Sequence, residues 1–186
     1  MLEKLQYQLI RSDRRTIGLE ITPRGLLVRA PYWVKTAEIE QFLREKEDWI
    51  AAHTQKLQQR AALAEAQPKL TADELQALAD EALRVIPERV RYYAPLVGVT
   101  VRGITIRNQR TRWGSCSSKG NLNFNCLLML TPAEVIDSVV VHELCHRIEM
   151  NHSPRFYAEI RRVYPDYDKW NRWLKDNGPA IMARNI

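Results

Sequence analysis

The sequence lacks the features that mark disulfide-rich, exported or membrane-spanning proteins. Its three cysteines are an odd number and include no Cys-x-x-Cys pair, which argues against a disulfide framework and against a cysteine-based zinc finger. No stretch approaches the ~20 apolar residues of a membrane helix, and no basic cluster leads into an apolar run at the N-terminus. Together these absences predict a cytoplasmic protein with reduced thiols and no membrane partner.

Internal repeats, low-complexity tracts and long blocks of lysine and arginine are also missing. The net charge of +6 is spread along the chain, which favours a generally basic surface over a nucleic-acid-binding one. The 186 residues and the hydrophobic content of 45% suit one domain, or one domain with a small appended module. We therefore expect a globular protein and disfavour nucleic acid as its partner.

Residues 1–67 are predicted to form a small N-terminal domain. Apolar and polar residues alternate in three segments, residues 5–10, 15–21 and 25–30. Turn residues separate these segments, so an antiparallel β-meander is expected. An amphipathic helix should follow, from Thr36 to about residue 60.

Residues 68–186 are predicted to form a second domain that mixes helices and strands. A long helix should precede two strands at residues 99–107 and 121–130, with a polar loop at residues 108–120 between them. Three further helices are expected, and the last of them, residues 167–176, should end before a Gly-Pro pair. The two predicted domains together give an α+β fold class.

A cluster of histidines in the C-terminal third carries the strongest functional signal. The chain has four histidines, and three of them fall within eleven residues. His142 and His146 are four positions apart, so a helix places both on one face, with Glu143 beside them in an H-E-x-x-H motif. Asn151 is expected to end this helix and to turn the chain back, so that His152 joins the two other imidazoles.

This arrangement predicts a catalytic metal. Three protein ligands and one open position are typical of catalytic zinc, although other divalent metals can occupy the same imidazoles. The metal would lower the pKa of a bound water from ~15.7 toward ~7, and Glu143 would accept the proton as a general base. The pattern therefore predicts a zinc-dependent hydrolase.

The identity of the third ligand is the open point of this prediction. The spacing of the three histidines equals that of H-E-x-x-H-x-x-G-x-x-H metalloproteases, but Glu149 stands in place of the glycine and no Met-turn is evident. Glu159, on the next predicted helix, is a rival ligand of the kind that glutamate-type zincins use. We prefer His152, because imidazole is the commoner zinc ligand and Asn151 supplies the turn.

Four stretches of the sequence resemble one known family. They read Arg-Trp-Gly-Ser-Cys at 112–116, Asn-Leu-Asn-Phe-Asn at 121–125, Val-His-Glu-Leu-Cys-His at 141–146 and Asn-His-Ser-Pro-Arg-Phe at 151–156. This set resembles the YgjP-like metallopeptidase-domain family of zincin-type proteins, over nearly the whole chain. The resemblance implies a zincin-like metallopeptidase core, a metal bound by the three histidines and Glu143 as the catalytic acid and base.

The substrate is not determined by this resemblance. Substrate contacts are predicted for Arg112 and Trp113 in the polar loop, for Asn123 in a strand that could pair with an extended peptide, and for Arg155. Trp113 could equally pack as a lid on the core. A peptide or protein is the preferred substrate.

Arginines near the motif motivate a second hypothesis. Arg binds phosphate bidentately, so a metal-dependent nucleotide or phosphoanhydride hydrolase is the alternative to a peptidase. A nucleic-acid-associated protein is a third, weaker hypothesis, based on charge and aromatic content. The arginines in question are Arg107, Arg110, Arg112, Arg147, Arg155, Arg161 and Arg162.

Overall fold

The computed structural model of the chain describes residues 6–22 and 24–185. Residues 1–5 lie outside the described residues. They are part of two predictions, the start of the first strand at residue 5 and the lack of a signal peptide at the N-terminus. The chain divides into two compact units, Met1–Leu63 and Ala64–Ile186. The described residues contain six α-helices, one 3-10 helix and six strands, so the predicted α+β class is confirmed. None of the described helices is both long enough and apolar enough to cross a membrane.

The N-terminal unit combines a three-stranded sheet with two helices. Its hydrophobic core is formed by residues of the central strand and of both helices, including Val28, Ile39 and Ile50. The single predicted helix is broken at Lys46 into two helices. The elements are β1 (Tyr7–Ser12), β2 (Gly18–Thr22), β3 (Gly25–Pro31), α1 (Thr36–Glu45) and α2 (Glu47–Glu65).

The predicted antiparallel β-meander is wrong in its strand order. Strand β3 lies in the centre of the sheet, parallel to β1 and antiparallel to β2. The consecutive residues Leu26, Leu27 and Val28 are all buried, so β3 is covered on both faces, whereas β1 alternates between half-buried and exposed positions. The most apolar strand therefore takes the centre, and β1 pairs with β3 rather than with its neighbour in sequence.

The C-terminal unit places a second small sheet among four helices. A 3-10 helix, Cys126–Leu130, follows the last strand. The other elements are α3 (Ala72–Val97), β4 (Gly103–Arg107), β5 (Gly114–Cys116), β6 (Asn121–Asn125), α4 (Ala133–Cys145), α5 (Pro154–Val163) and α6 (Tyr167–Ala183).

The second sheet contains a strand that the sequence pattern did not predict. The predicted loop at residues 108–120 includes the short strand β5, and the order of strands is β4-β6-β5. Strand β6 is central, parallel to β4 and antiparallel to β5, and its residues Leu122 and Phe124 are fully buried. Strand β6 ends at Asn125, before the predicted end at residue 130, and β5 forms one edge of the sheet.

Two helix ends also differ from the prediction. Helix α4 ends at Cys145 rather than at Asn151, because the amides of Arg147 and Ile148 close tight turns onto the last carbonyls of the helix. Helix α6 continues through the expected stop to Ala183. Gly178 lies buried inside α6, where a Cβ atom would come within 3.0 Å of the Trp113 ring. The glycine therefore permits close packing instead of ending the helix.

Candidate active site

The structure brings the three clustered histidines together. His142 lies in the last turn of α4, His146 is the residue that caps this helix, and His152 lies just before α5. One nitrogen atom from each of the three rings lies within 4.8 Å of the other two. The Nε2 atoms of His142 and His152 are 3.1 Å apart. This distance is similar to that between two nitrogens in a tetrahedral zinc site, which is about 3.3–3.4 Å.

A buried aromatic ring holds the three imidazoles in place. Phe156, in the first turn of α5, is fully buried. Its ring centroid lies 4.9 Å from that of His142, 4.5 Å from that of His146 and 5.0 Å from that of His152. Phe156 was part of the family-like stretch, but sequence reasoning gave it no role, because only tertiary packing shows that one ring contacts all three histidines.

Two of the histidines have a hydrogen-bonding partner on the nitrogen that faces away from the cluster. His142 Nδ1 lies 2.8 Å from the hydroxyl of Tyr167, and His146 Nδ1 lies 3.2 Å from the backbone carbonyl of Glu149. Such contacts fix the orientation of metal-binding imidazoles. Burial also raises the pKa of Tyr167, so its hydroxyl stays protonated. Sequence reasoning missed Tyr167, which is 25 residues from His142.

The rival ligand Glu159 takes no part in the cluster. Its carboxylate accepts a hydrogen bond from Arg162 Nε at 2.9 Å. Among the described residues, the group of possible metal ligands at this point consists of three histidines. Glu149 approaches through its backbone carbonyl and not through its carboxylate.

Burial sets the charge of the groups at the site. It lowers the pKa of His142 to about 3, with further contributions from His146 and His152, and it also lowers the pKa of His146. The imidazoles of His142 and His146 are therefore neutral at physiological pH and keep their lone pairs for a cation. Burial raises the pKa of Glu143 to about 8, against the opposing charge of Arg112.

Glu143 is packed against the backbone of the edge strand β5. Its side chain is only 5% exposed, and its Oε2 is buried with no hydrogen-bond partner among the described residues. A Cβ atom at Gly114 would lie 2.7 Å from Glu143 Oε1, so the glycine makes room for the carboxylate. Three converging imidazoles beside a buried carboxylate oxygen with no described partner fit a divalent metal with an open position.

A cleft of about 240 Å³ opens beside His142 and Glu143. A fully buried side chain, Asn125, anchors the loop that forms one wall, because its Nδ2 donates to the carbonyls of Gln109 at 2.7 Å and Arg112 at 2.9 Å. The lining residues include Arg112, Trp113, Gly114, Val139, Tyr167, Asn171 and Leu174. Two of the four predicted substrate-binding residues, Arg112 and Trp113, therefore lie at the cleft, and Trp113 also packs on Gly178.

The other two predicted substrate-binding residues lie outside the lining of this cleft. Asn123 is in the central strand β6, where its Nδ2 donates to Ser115 Oγ at 3.2 Å and its Oδ1 accepts from Arg107. Arg155 is exposed in the first turn of α5. Asn123 faces away from the core, because its neighbours Leu122 and Phe124 point into it.

Four of the seven arginines that suggested a phosphate substrate are engaged elsewhere, including Arg107, which donates to Asn123. Arg147 donates to the carbonyl of Ser118 at 2.9 Å, while Arg161 and Arg162 pair with Asp168 and Glu159. Arg112 is the member of this set that lines the cleft beside Glu143. The contacts of these four arginines give no support to a phosphate-binding arginine cluster around the histidines.

Comparison with known families identifies the chain. The family described as YgjP-like, metallopeptidase domain, matches residues 15–76 and 64–177, which is well over half of the sequence. The chain belongs to the YgjP-like metallopeptidase-domain family. This confirms the predicted resemblance and the prediction of a metal-dependent hydrolase of the peptidase class. The family implies a divalent metal and suggests peptide or protein substrates, and it gives no support to the nucleotide alternative.

The other comparisons are less informative about the function of this YgjP-like domain. No protein among the curated sequences matches it significantly. Two similar solved structures are metallopeptidase zymogens. Abylysin of Pyrococcus abyssi has 18% identity and a TM-score of 0.45, covering 49% of this chain and 93% of its own. Jannalysin of Methanocaldococcus jannaschii has 21% identity and a TM-score of 0.44, covering 50% of this chain and 95% of its own. At this level of similarity, neither structure supports a functional assignment for this chain.

Proposed function

We propose that the chain is a zinc-dependent peptidase in which His142, His146 and His152 hold the metal and Glu143 is the general base. The observation that carries this proposal is the convergence of three imidazoles beside a buried carboxylate whose Oε2 has no described partner. Zinc is proposed because all three candidate ligands are imidazoles and the arrangement leaves a position open. A cytoplasmic location is also proposed, supported by three free cysteines.

Proton transfer would be carried out by a side chain of the protein, the carboxylate of Glu143, which is held in a fixed position beside Gly114. His142, His146 and His152 would hold a divalent cation, which would supply an activated water and polarise the scissile carbonyl. Glu143 would accept a proton at its carboxylate, and burial, which raises the pKa of this group in the metal-free protein, favours the protonated form. Glu143 would then deliver this proton to the leaving amine. Gly114 fixes the position of the carboxylate for both transfers.

A peptide substrate would pair with the edge strand β5. The prediction from sequence assigned this role to the strand at residues 121–125, but β6 has a partner on each side. Only an edge strand can accept an added strand. Val139, Leu174 and Trp113 line the cleft beside Glu143, which suits one apolar side chain of the substrate, and Arg112 is proposed to bind a substrate carbonyl or carboxylate.

The roles of the two remaining predicted contacts are less direct. Asn123 is proposed to support the edge strand through its hydrogen bond to Ser115. A substrate contact by Arg155 stays a prediction. The division into an N-terminal domain at residues 1–67 and a catalytic core at residues 68–186 is likewise kept as a proposal.

Cleavage of an unstructured protein tests this function. Zinc-loaded protein should cleave casein, and Glu143→Gln should lower turnover by about 10²–10⁴-fold while zinc binding is retained. Gel analysis and metal content measure the two properties separately. Full turnover in the Glu143→Gln variant would contradict the mechanism. Release of phosphate or pyrophosphate from nucleoside triphosphates, with casein left intact, would favour the alternative hydrolase.

A further inference from the structure

Among the described residues, Tyr167 makes the only hydrogen bond to His142 Nδ1, the ring nitrogen that faces away from the other two histidines. Tyr167 is the first residue of α6 and only 3% of its surface is exposed. Its hydroxyl lies 2.8 Å from His142 Nδ1, and the two rings are inclined by 22° with centroids 6.0 Å apart. The contact therefore links α6 to the helix that carries the H-E-x-x-H motif.

The chemistry of imidazole gives this contact a defined direction. A neutral imidazole has one N–H and one bare nitrogen. His142 Nε2 points at His152 Nε2, 3.1 Å away, so it must be the bare nitrogen if the cluster is to hold a cation. The hydrogen must then lie on Nδ1, and the group next to Nδ1 must accept it.

His142 differs from His146 in how this requirement is met. Next to His146 Nδ1 stands the backbone carbonyl of Glu149, which can only accept, so the correct tautomer of His146 is fixed by the backbone. Next to His142 Nδ1 stands a hydroxyl, which can accept or donate. Whether His142 presents a bare Nε2 therefore depends on the side chain of Tyr167.

We propose that Tyr167 is a positioning residue of the metal site, whose hydroxyl oxygen accepts the Nδ1–H of His142 and thereby keeps Nε2 free for the cation. The inference rests on the proposed role of His142 as a ligand. It assigns α6 a part in metal binding, although α6 contributes no ligand. Removing such a contact typically weakens metal binding by about 10–100-fold.

The test is the zinc affinity of the full chain carrying Tyr167→Phe, measured by competition with a chromogenic chelator. The ring is kept and only the hydroxyl is lost, so we expect a dissociation constant about 10–100-fold higher than that of the wild type. Tyr164→Phe is the matched control, since Tyr164 donates to the carbonyl of Glu134 at 3.0 Å and does not touch the histidines. Its zinc affinity should equal that of the wild type.

The tautomer of His142 provides a second readout on the wild-type, metal-free protein. The nitrogen-15 chemical shifts should show hydrogen on Nδ1, and Tyr167→Phe should move hydrogen toward Nε2. Unchanged zinc affinity in Tyr167→Phe, or an Nε2–H tautomer in the wild type, would overturn the inference. His142→Ala separates the two levels: if it binds zinc as tightly as the wild type, the proposed metal site itself is wrong.

Discussion

Replacing Gly114 with alanine should displace the carboxylate of Glu143 without touching the metal ligands. The new Cβ would lie 2.7 Å from Oε1, 2.8 Å from Cγ and 2.9 Å from Cδ of Glu143, whereas ordinary contacts of this kind are 3.4–4 Å. The carboxylate must therefore retreat by at least roughly 0.7 Å. Strand β5 cannot yield easily, because it is hydrogen-bonded to β6 and the side chain it meets is buried.

The size of the effect follows from this displacement. A misplacement of about 1 Å in a catalytic group can reduce the rate by about 10²-fold, so kcat of Gly114→Ala should fall by about one to two orders of magnitude. Overpacking should also lower the free energy of unfolding by about 1–3 kcal/mol. Zinc affinity should stay at the wild-type value, because the Cβ meets Glu143 and no imidazole.

Turnover of a fluorogenic peptide at saturating zinc measures this prediction, with bound zinc determined on the same samples. Gly103→Ala is the matched control in the same sheet, since its Cβ would meet a single atom, Asn121 Oδ1, at 3.4 Å. It should retain nearly full activity. A Gly114→Ala variant with the kcat of the wild type would refute the argument that the glycine positions the catalytic carboxylate.

Three further predictions concern the metal and the charges at the site. At about 1,000 times its Kd, zinc should raise the free energy of unfolding by about 4 kcal/mol, and chelation should reverse the resulting rise in Tm. His152→Ala should lose bound zinc and Glu159→Ala should keep it, and the opposite result would exchange the third ligand. In metal-free protein, burial raises the pKa of Glu143 from 4.5 to about 8. The folded state therefore binds more protons than the unfolded state between these values, and stability falls as pH rises. Burial lowers the pKa of His142 from 6.5 to about 3, so this group makes stability rise with pH up to 6.5. Between pH 6.5 and 8 the Glu143 effect is no longer opposed by that of His142, so denaturant titrations should show a loss of stability that Glu143→Gln abolishes.

The local part of the site was predictable because it depends on helical spacing. His142 and His146 lie on one face of α4 because four residues make about one helical turn. His152 follows His146 by only six residues, so the short connection keeps it near the other two imidazoles. The turn itself was mispredicted, since the amides of Arg147 and Ile148 end the helix earlier than Asn151. The ligand cluster did not depend on that detail.

The supporting residues could not be predicted, because each depends on contacts between distant parts of the chain. Strand β5 has three residues and a polar sequence, and only its pairing with β6 makes it a strand. Gly178 and Pro179 resemble a helix stop, yet the packing of Trp113 on Gly178 keeps them inside α6. Local propensity is a weak signal wherever tertiary packing opposes it.

The proposed chemistry therefore depends on two kinds of residue, the metal ligands and the residues that position a ligand or the base. The three proposed ligands come from one short segment, residues 142–152. The Tyr167 hydroxyl at His142 and the space beside Glu143 at Gly114 come from α6 and β5, which reach the site only through the complete C-terminal unit. Changes at these two residues should therefore separate the functions of the site, since Tyr167→Phe weakens zinc binding whereas Gly114→Ala slows turnover of protein that is fully loaded with zinc. If both changes altered zinc affinity equally, the distinction between holding the metal and positioning the base would not apply to this protein.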